Sequence, residues 1–95
     1  MPAYVIVEIS VHNPVEYEEY KNLSLPSLAP FGGKFIARGG QVVTLEGDWH
    51  PERMVILEFP FREKALEWWN SDIYAGAKAI RQRTASTKMI IVDGI

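Results

Sequence analysis

Three charged residues interrupt otherwise apolar runs: Glu8 in AYVIVEISV, Arg38 in KFIAR and Glu58 in RMVILEF. All three occupy even positions, which puts them on one face if the runs are strands of one sheet. A guanidinium held by one or two carboxylates can bind an anionic ligand or orient a substrate carboxylate bidentately. In that reading Arg38 orients charge and Glu58 is the candidate base. The same residues would also serve as a structural ion pair that fixes the register of two packed sheets.

A second group is aromatic: Tyr20, Trp49, Trp68, Trp69 and Tyr74, with Arg81 two helical turns beyond Tyr74. Trp68 and Trp69 are adjacent on a predicted helix and cannot share a face. One belongs to the core, and the other lines a cleft or a dimer contact. Tyr20 and Tyr74 are expected to direct hydroxyls between helix and sheet, with Arg81 capping a carboxylate. His12 and His50 lie in loops beside prolines, without a carboxylate pattern that would make either an acid or base. No spacing brings several metal ligands together, so neither a metal nor a cofactor is expected.

The glycines of FGGKFIARGGQVVTLEGDW raise the alternative of a phosphate cradle. A phosphate loop follows a strand and opens a helix, whose free N–H groups hold the anion. Here both Gly-Gly pairs run into strands, so the expected role is backbone geometry. Gly32 or Gly33 ends a helix in the left-handed conformation, and Gly39-Gly40 makes a bulge or bend within one long strand over residues 34–47.

These side chains require elements to position them. Ala3–Val11 alternates with period two and has an aliphatic face at Ala3, Val5, Val7, Ile9 and Val11. Asn13, Pro14 and Glu16 open a helix with a cap, a first-turn proline and a capping-box carboxylate. Tyr17, Tyr20, Ser24, Leu28 and Phe31 form its buried stripe, and Pro26 is expected to kink or break it near residues 21–25. Arg53–Phe59 is a strand, Arg62–Asn70 a short helix, and Ser71 caps a further helix to about Arg83. In that last helix Ala75, Gly76, Ala77 and Ala79 are expected to permit close approach to the sheet. Residues 88–93 form the last strand. The order βαββαβ is the ferredoxin-like arrangement, an α+β fold with an antiparallel four-stranded sheet covered by helices on one face.

The other face would carry Tyr4, Ile6, Ile36, Met54 and Ile56, too apolar for open water. Four strands present on the order of 300 Å² in plan, comparable with the largest apolar patch of a monomer. A second copy is therefore expected to cover it. The 95 residues make one domain, residues 1–95. A net charge of −2 with scattered cations argues against nucleic acid, and no apolar run is long enough for a bilayer. The amino terminus reads as a strand and not as a signal peptide. Absence of cysteine excludes disulfides and thiolate chemistry and is compatible with a reducing compartment; a cytoplasmic location is expected.

Taken together, FGGKFIARGG, the following LEGDW, RMVILEF and the WWNSDIY…R segment resemble the small bacterial family called domain of unknown function 1330. The resemblance spans almost the whole chain. It implies a homodimeric α+β barrel, in which two ferredoxin-like units pack sheet against sheet. That superfamily includes cofactor-independent monooxygenases, isomerases, dehalogenases and haem-degrading enzymes. The helix histidine that ligates haem in such folds is missing here, and Phe61 stands where a small capping residue is expected. Two functions remain open. One is a cofactor-independent enzyme acting on a small anionic or aromatic molecule, and the other is a non-catalytic metabolite-binding or accessory dimer.

Overall fold

A computed structural model describes residues 1–95. Its elements are β1 (Ala3–Val11), α1 (Pro14–Leu28), a short 3-10 turn (Ala29–Phe31), β2 (Lys34–Arg38), β3 (Arg53–Phe59), α2 (Arg62–Asn70), α3 (Asp72–Thr84) and β4 (Ala85–Asp93). The sheet order is β2-β3-β1-β4 and every pairing is antiparallel. This is the ferredoxin-like α+β arrangement, with one added helix boundary at Ser71.

Period two decides which residues face the helices. Val5, Val7 and Ile9 pair with Leu57, Val55 and Arg53 on one side of β1 and with Ile91, Met89 and Thr87 on the other. Val5, Val7, Ile9, Val55, Leu57 and Phe59 join Tyr17, Leu28, Ala65, Trp68, Tyr74 and Ala77 in one buried cluster. Trp68 anchors it: its ring lies 4.0 Å from that of Tyr74 and 5.4 Å from that of Phe59, centroid to centroid. Its indole N–H donates to Ser27 Oγ at 3.0 Å, so the one polar atom of this buried ring is satisfied.

Local chemistry sets the helix starts. The Asn13 side chain accepts the Glu16 backbone N–H at 3.3 Å, with Pro14 in the first turn. The Glu16 carboxylate accepts from the Asn13 amide at 3.2 Å and from Arg83 Nε at 2.8 Å, which ties α1 to the end of α3. Ser71 works twice: its hydroxyl donates to the Trp68 carbonyl at 2.7 Å and accepts the Tyr74 N–H at 3.1 Å. Phe61 precedes α2 without a side-chain cap.

Four expectations are corrected. Helix α1 runs through Pro26 to Leu28 without a break. The missing N–H lies near the end of the helix, where Ser24 and Ser27 hydroxyls take carbonyls of the turn before, at Lys21 and Ser24. Strand β2 stops at Arg38, not at residue 47, and its irregularity falls between Phe35 and Ala37, before the glycine pair. Of the small residues in α3 only Ala77 is buried; Ala75, Gly76 and Ala79 face outward, and α3 packs mainly on α1. Strand β4 begins at Ala85, three residues earlier than expected. Gly32 does close the first helical segment in the left-handed conformation, with φ +70°. No helix is long and apolar enough to cross a membrane.

Candidate functional site

The bulge in β2 decides the site. Lys34 pairs with Glu58 and Phe35 with Leu57, but Ala37 then pairs with Ile56 and Arg38 with Val55. One extra residue on β2 therefore reverses the parity of everything after it. Arg38 moves to the helix-covered face, while Glu8 and Glu58 stay on the opposite face. The expected triad does not assemble. Glu58 lies 3.5 Å from Lys34 Nζ, and Glu8 accepts the Trp49 indole N–H at 3.0 Å. The two carboxylates lie four residues apart in register, roughly 13 Å along the strands. Neither pairs with Arg38.

Arg38 instead stands at the mouth of a cleft between α1 and the sheet, its guanidinium 4.4 Å from the centre of the Phe35 ring. Helix α1 contributes Tyr17, Tyr20, Lys21 and Ser24; the sheet contributes Val7, Ile9, Phe35 and Arg53; Trp68 is at the base. As it stands the cleft is narrow. Only about 20 Å³ is open to the centre of a water molecule, room for about one water.

Arg53 was not among the residues singled out from sequence. It shares parity with Val55 and Leu57, so the alternation already assigned it to the helix face; its place at a strand boundary concealed it. The guanidinium packs beneath Gly39, where an added Cβ would come within 2.4 Å of Nη1, and its buried Nε has no hydrogen-bond partner. Tyr17 was read only as core. Burial raises its hydroxyl pKa, against which the nearby Arg53 and Arg81 guanidinia pull downward.

Tyr20 and Tyr74 do meet, hydroxyl to hydroxyl at 2.8 Å. Arg81, only 3% exposed, donates from Nε to Tyr74 Oη at 3.2 Å and from Nη1 to Thr87 Oγ1 at 2.6 Å. It caps no carboxylate, contrary to expectation. Burial, reinforced by Tyr74, holds the Tyr20 pKa well above its ordinary value. Its hydroxyl therefore keeps its proton beyond the pH at which an ordinary tyrosine ionises. Arg38, Arg53 and Arg81 all lack a carboxylate within ion-pair distance. Two of them, Arg38 at the exposed mouth and Arg53 deeper in, line the cleft, which favours an anion there; Arg81 is not among the lining residues and is held by Tyr74 and Thr87.

The tryptophans separate as their adjacency requires. Trp68 is 1% exposed, whereas Trp69 is 36% exposed with Lys78 Nζ 3.8 Å from its ring centre. Trp49 is half-exposed on the other side of the sheet. His50 is exposed, 3.6 Å from Asp48, and His12 is exposed in the turn before α1. Neither histidine lines the cleft.

The family model described as "Domain of unknown function (DUF1330)" matches residues 2–95. The chain belongs to this family. No curated protein matches this DUF1330 chain. Among solved structures, a protein of unknown function from Rhodopseudomonas palustris aligns with TM-score 0.79 and 21% identity, covering 99% of this chain and 82% of that one. SnoaB from Streptomyces nogalater, a cofactor-independent oxygenase, aligns with TM-score 0.67 and 10% identity, covering 99% and 93%. A protein from Bacteroides fragilis, described as dimeric, of unknown function and ferredoxin-like fold, aligns with TM-score 0.64 and 13% identity, covering 98% and 96%. At these identities the likeness concerns the fold.

Proposed function

We propose that this DUF1330 chain works as a homodimeric α+β barrel whose helix–sheet cleft binds a small organic anion carrying an aromatic or other flat apolar group. The observation that carries this reading is the pair Arg38 and Arg53 lining one largely apolar cleft, with no carboxylate among its lining residues and none within ion-pair distance of either. Phe35, Tyr17 and Trp68 supply ring faces, and Arg53 Nε lacks a partner. A planar carboxylate matches a guanidinium fork in both charge and geometry. Lys21 and Arg38, at the rim, would swing outward to admit a ring.

Self-association is supported by the outer sheet face, where Ile90 is 61%, Ile36 48% and Val92 44% exposed around Tyr4, Ile6 and Ile56. Light scattering should give about twice 10.8 kDa. A chain without cysteine suits the cytoplasm, the compartment we assign it.

Catalysis is a second reading, favoured by the neutral Tyr20 hydroxyl wired through Tyr74 to buried Arg81. Such a donor stabilises negative charge developing on a substrate oxygen. The chemistry would be cofactor-independent and would start from a substrate that is itself readily deprotonated, because no carboxylate or imidazole lines the cleft to act as base. The test is a thermal-shift survey of aromatic carboxylates against the parent, Arg38→Gln and Arg53→Gln. Stabilisation of the parent that weakens in both variants supports binding in the cleft. Equal shifts in all three place the anion elsewhere.

A further inference from the structure

We propose that Arg81 and Tyr74 set the direction of a hydrogen-bond chain that leaves the Tyr20 proton for the ligand, so that the cleft selects aromatic acids carrying a ring hydroxyl. The inference rests on the anion-binding reading of the cleft and names the second group that such an anion carries.

Donors and acceptors fix the direction. A guanidinium has donors and no acceptor, so the Arg81 contact at 3.2 Å runs from Nε to Tyr74 Oη. The Tyr74 hydroxyl still has its own proton to place. Tyr74 is 0% exposed, away from bulk water, and its Oη has one further partner in the chain, Tyr20 Oη at 2.8 Å. A buried hydroxyl proton without an acceptor is costly, so Tyr74 donates and Tyr20 accepts. The Tyr20 proton is then left without an acceptor in the chain, on a side chain that lines the cleft. Burial, the largest cause of the raised Tyr20 pKa, acts the same way whichever hydroxyl donates.

The chain is held rigidly behind Tyr20. Arg81 is buried, and its Nη1 donates to Thr87 Oγ1 at 2.6 Å, which ties the guanidinium to β4. The Tyr74 ring packs against Trp68, 4.0 Å between centroids. Neither Arg81 nor Tyr74 lines the cleft. Both are positioning residues, and Tyr20 is the one that touches the ligand.

Ser24 decides what kind of oxygen fits. It follows Tyr20 by four residues on α1, so the two share a helix face, and both line the cleft. The Ser24 hydroxyl donates to the Lys21 carbonyl at 3.4 Å, and its Oγ keeps lone pairs for an incoming donor. A ligand oxygen between them would accept from Tyr20 and donate to Ser24. A hydroxyl does both, and a methyl group does neither. Arg38 and Arg53 reach the cleft from the opposite wall, the sheet. Carboxylate and hydroxyl therefore belong at separated positions, meta or para, of one flat ring.

Calorimetric titration tests this by comparing meta- and para-hydroxybenzoate with meta- and para-methylbenzoate, in which a methyl fills nearly the volume of the hydroxyl. In the parent, at least one hydroxy isomer should bind about tenfold or more tightly than its methyl counterpart, which leaves the Tyr20 proton unpaired. Tyr20→Phe should bring that ratio close to unity. The ratio isolates the hydrogen bond, because a variant that merely loosens the fold weakens both probes alike. Tyr74→Phe tests the direction. Its loss withdraws the bond that aims the Tyr20 proton into the cleft, so the ratio should fall. Had Tyr20 donated to Tyr74, the same variant would free the Tyr20 proton and raise the ratio. A ratio that rises or holds in Tyr74→Phe would overturn the direction assigned. A parent ratio near unity, or one that Tyr20→Phe leaves intact, would overturn the inference; if benzoate still binds through Arg53, the anion-binding cleft stands. Failure of benzoate and both hydroxybenzoates to bind would overturn the two together.

Discussion

Arg38 and Glu58 stand on opposite faces of the same sheet. Arg38 is in register with Val55, facing the helices, and Glu58 is in register with Lys34 and Tyr4, facing away. Removing the arginine therefore leaves no carboxylate unpaired. Arg38→Ala should change the unfolding free energy by no more than about 0.5 kcal/mol, as for an ordinary exposed side chain. Urea denaturation checks this, and a loss of several kcal/mol would reveal a buried partner.

The two glycines that follow Arg38 are not equivalent. Gly39 has φ +68°, and a Cβ there would meet the Arg53 guanidinium at 2.4 Å; Gly40 has no unusual φ and nothing within 4 Å. Gly39→Val should cost ~1–3 kcal/mol through backbone strain, with displacement of Arg53 in addition. Gly40→Val should be nearly neutral. Denaturation midpoints of the pair decide between local geometry and general intolerance of side chains in this turn.

Adjacent tryptophans should respond differently to truncation. Trp68→Ala removes a ring packed on Tyr74 and Phe59 and should cost ~3–5 kcal/mol. Trp69→Ala removes a partly exposed ring under Lys78 and should cost about 1 kcal/mol or less. Thermal unfolding of the two variants measures the contrast.

Alkali should destabilise the fold through Tyr20. Its pKa is raised on folding by burial first and by Tyr74 second, from an ordinary value of 10.0. Below that pH both states hold the proton. Above it the unfolded chain loses its proton while the folded chain keeps it, so stability falls as pH rises. Tyr20→Phe should flatten that decline. Parallel pH titrations of unfolding free energy, with phenolate absorbance as a second readout, test it.

Most of the fold was legible because period two and capping chemistry are local. Ala3–Val11 and Arg53–Phe59 follow from alternation alone, and Asn13 and Ser71 mark helix starts by their side-chain acceptors. The site was less legible because it depends on a single inserted residue. Alternation along KFIAR placed Arg38 beside Glu58, whereas the bulge at Phe35/Ala37 reverses its side. Nothing local to the pentapeptide distinguishes the two outcomes; the Gly39 turn over Arg53 fixes the end of the strand and lies outside it. Pro26 misled for a related reason. Its helix-breaking tendency is a property of isolated helices, and here Ser24 and Leu28 are buried against the fold on either side of it.

The central claim, that the cleft between α1 and the sheet recognises an organic anion through uncompensated arginines, is tested most directly by calorimetric titration with benzoate and with benzamide, its near-isosteric neutral analogue. Benzoate should bind the parent measurably and benzamide at least about tenfold more weakly, since a hydrogen bond to a charged group contributes ~1.5–3 kcal/mol. Arg53→Gln should bring benzoate down to the level of benzamide while the variant remains folded. Equal affinity for the two probes, or benzoate binding untouched by Arg53→Gln, would contradict the account.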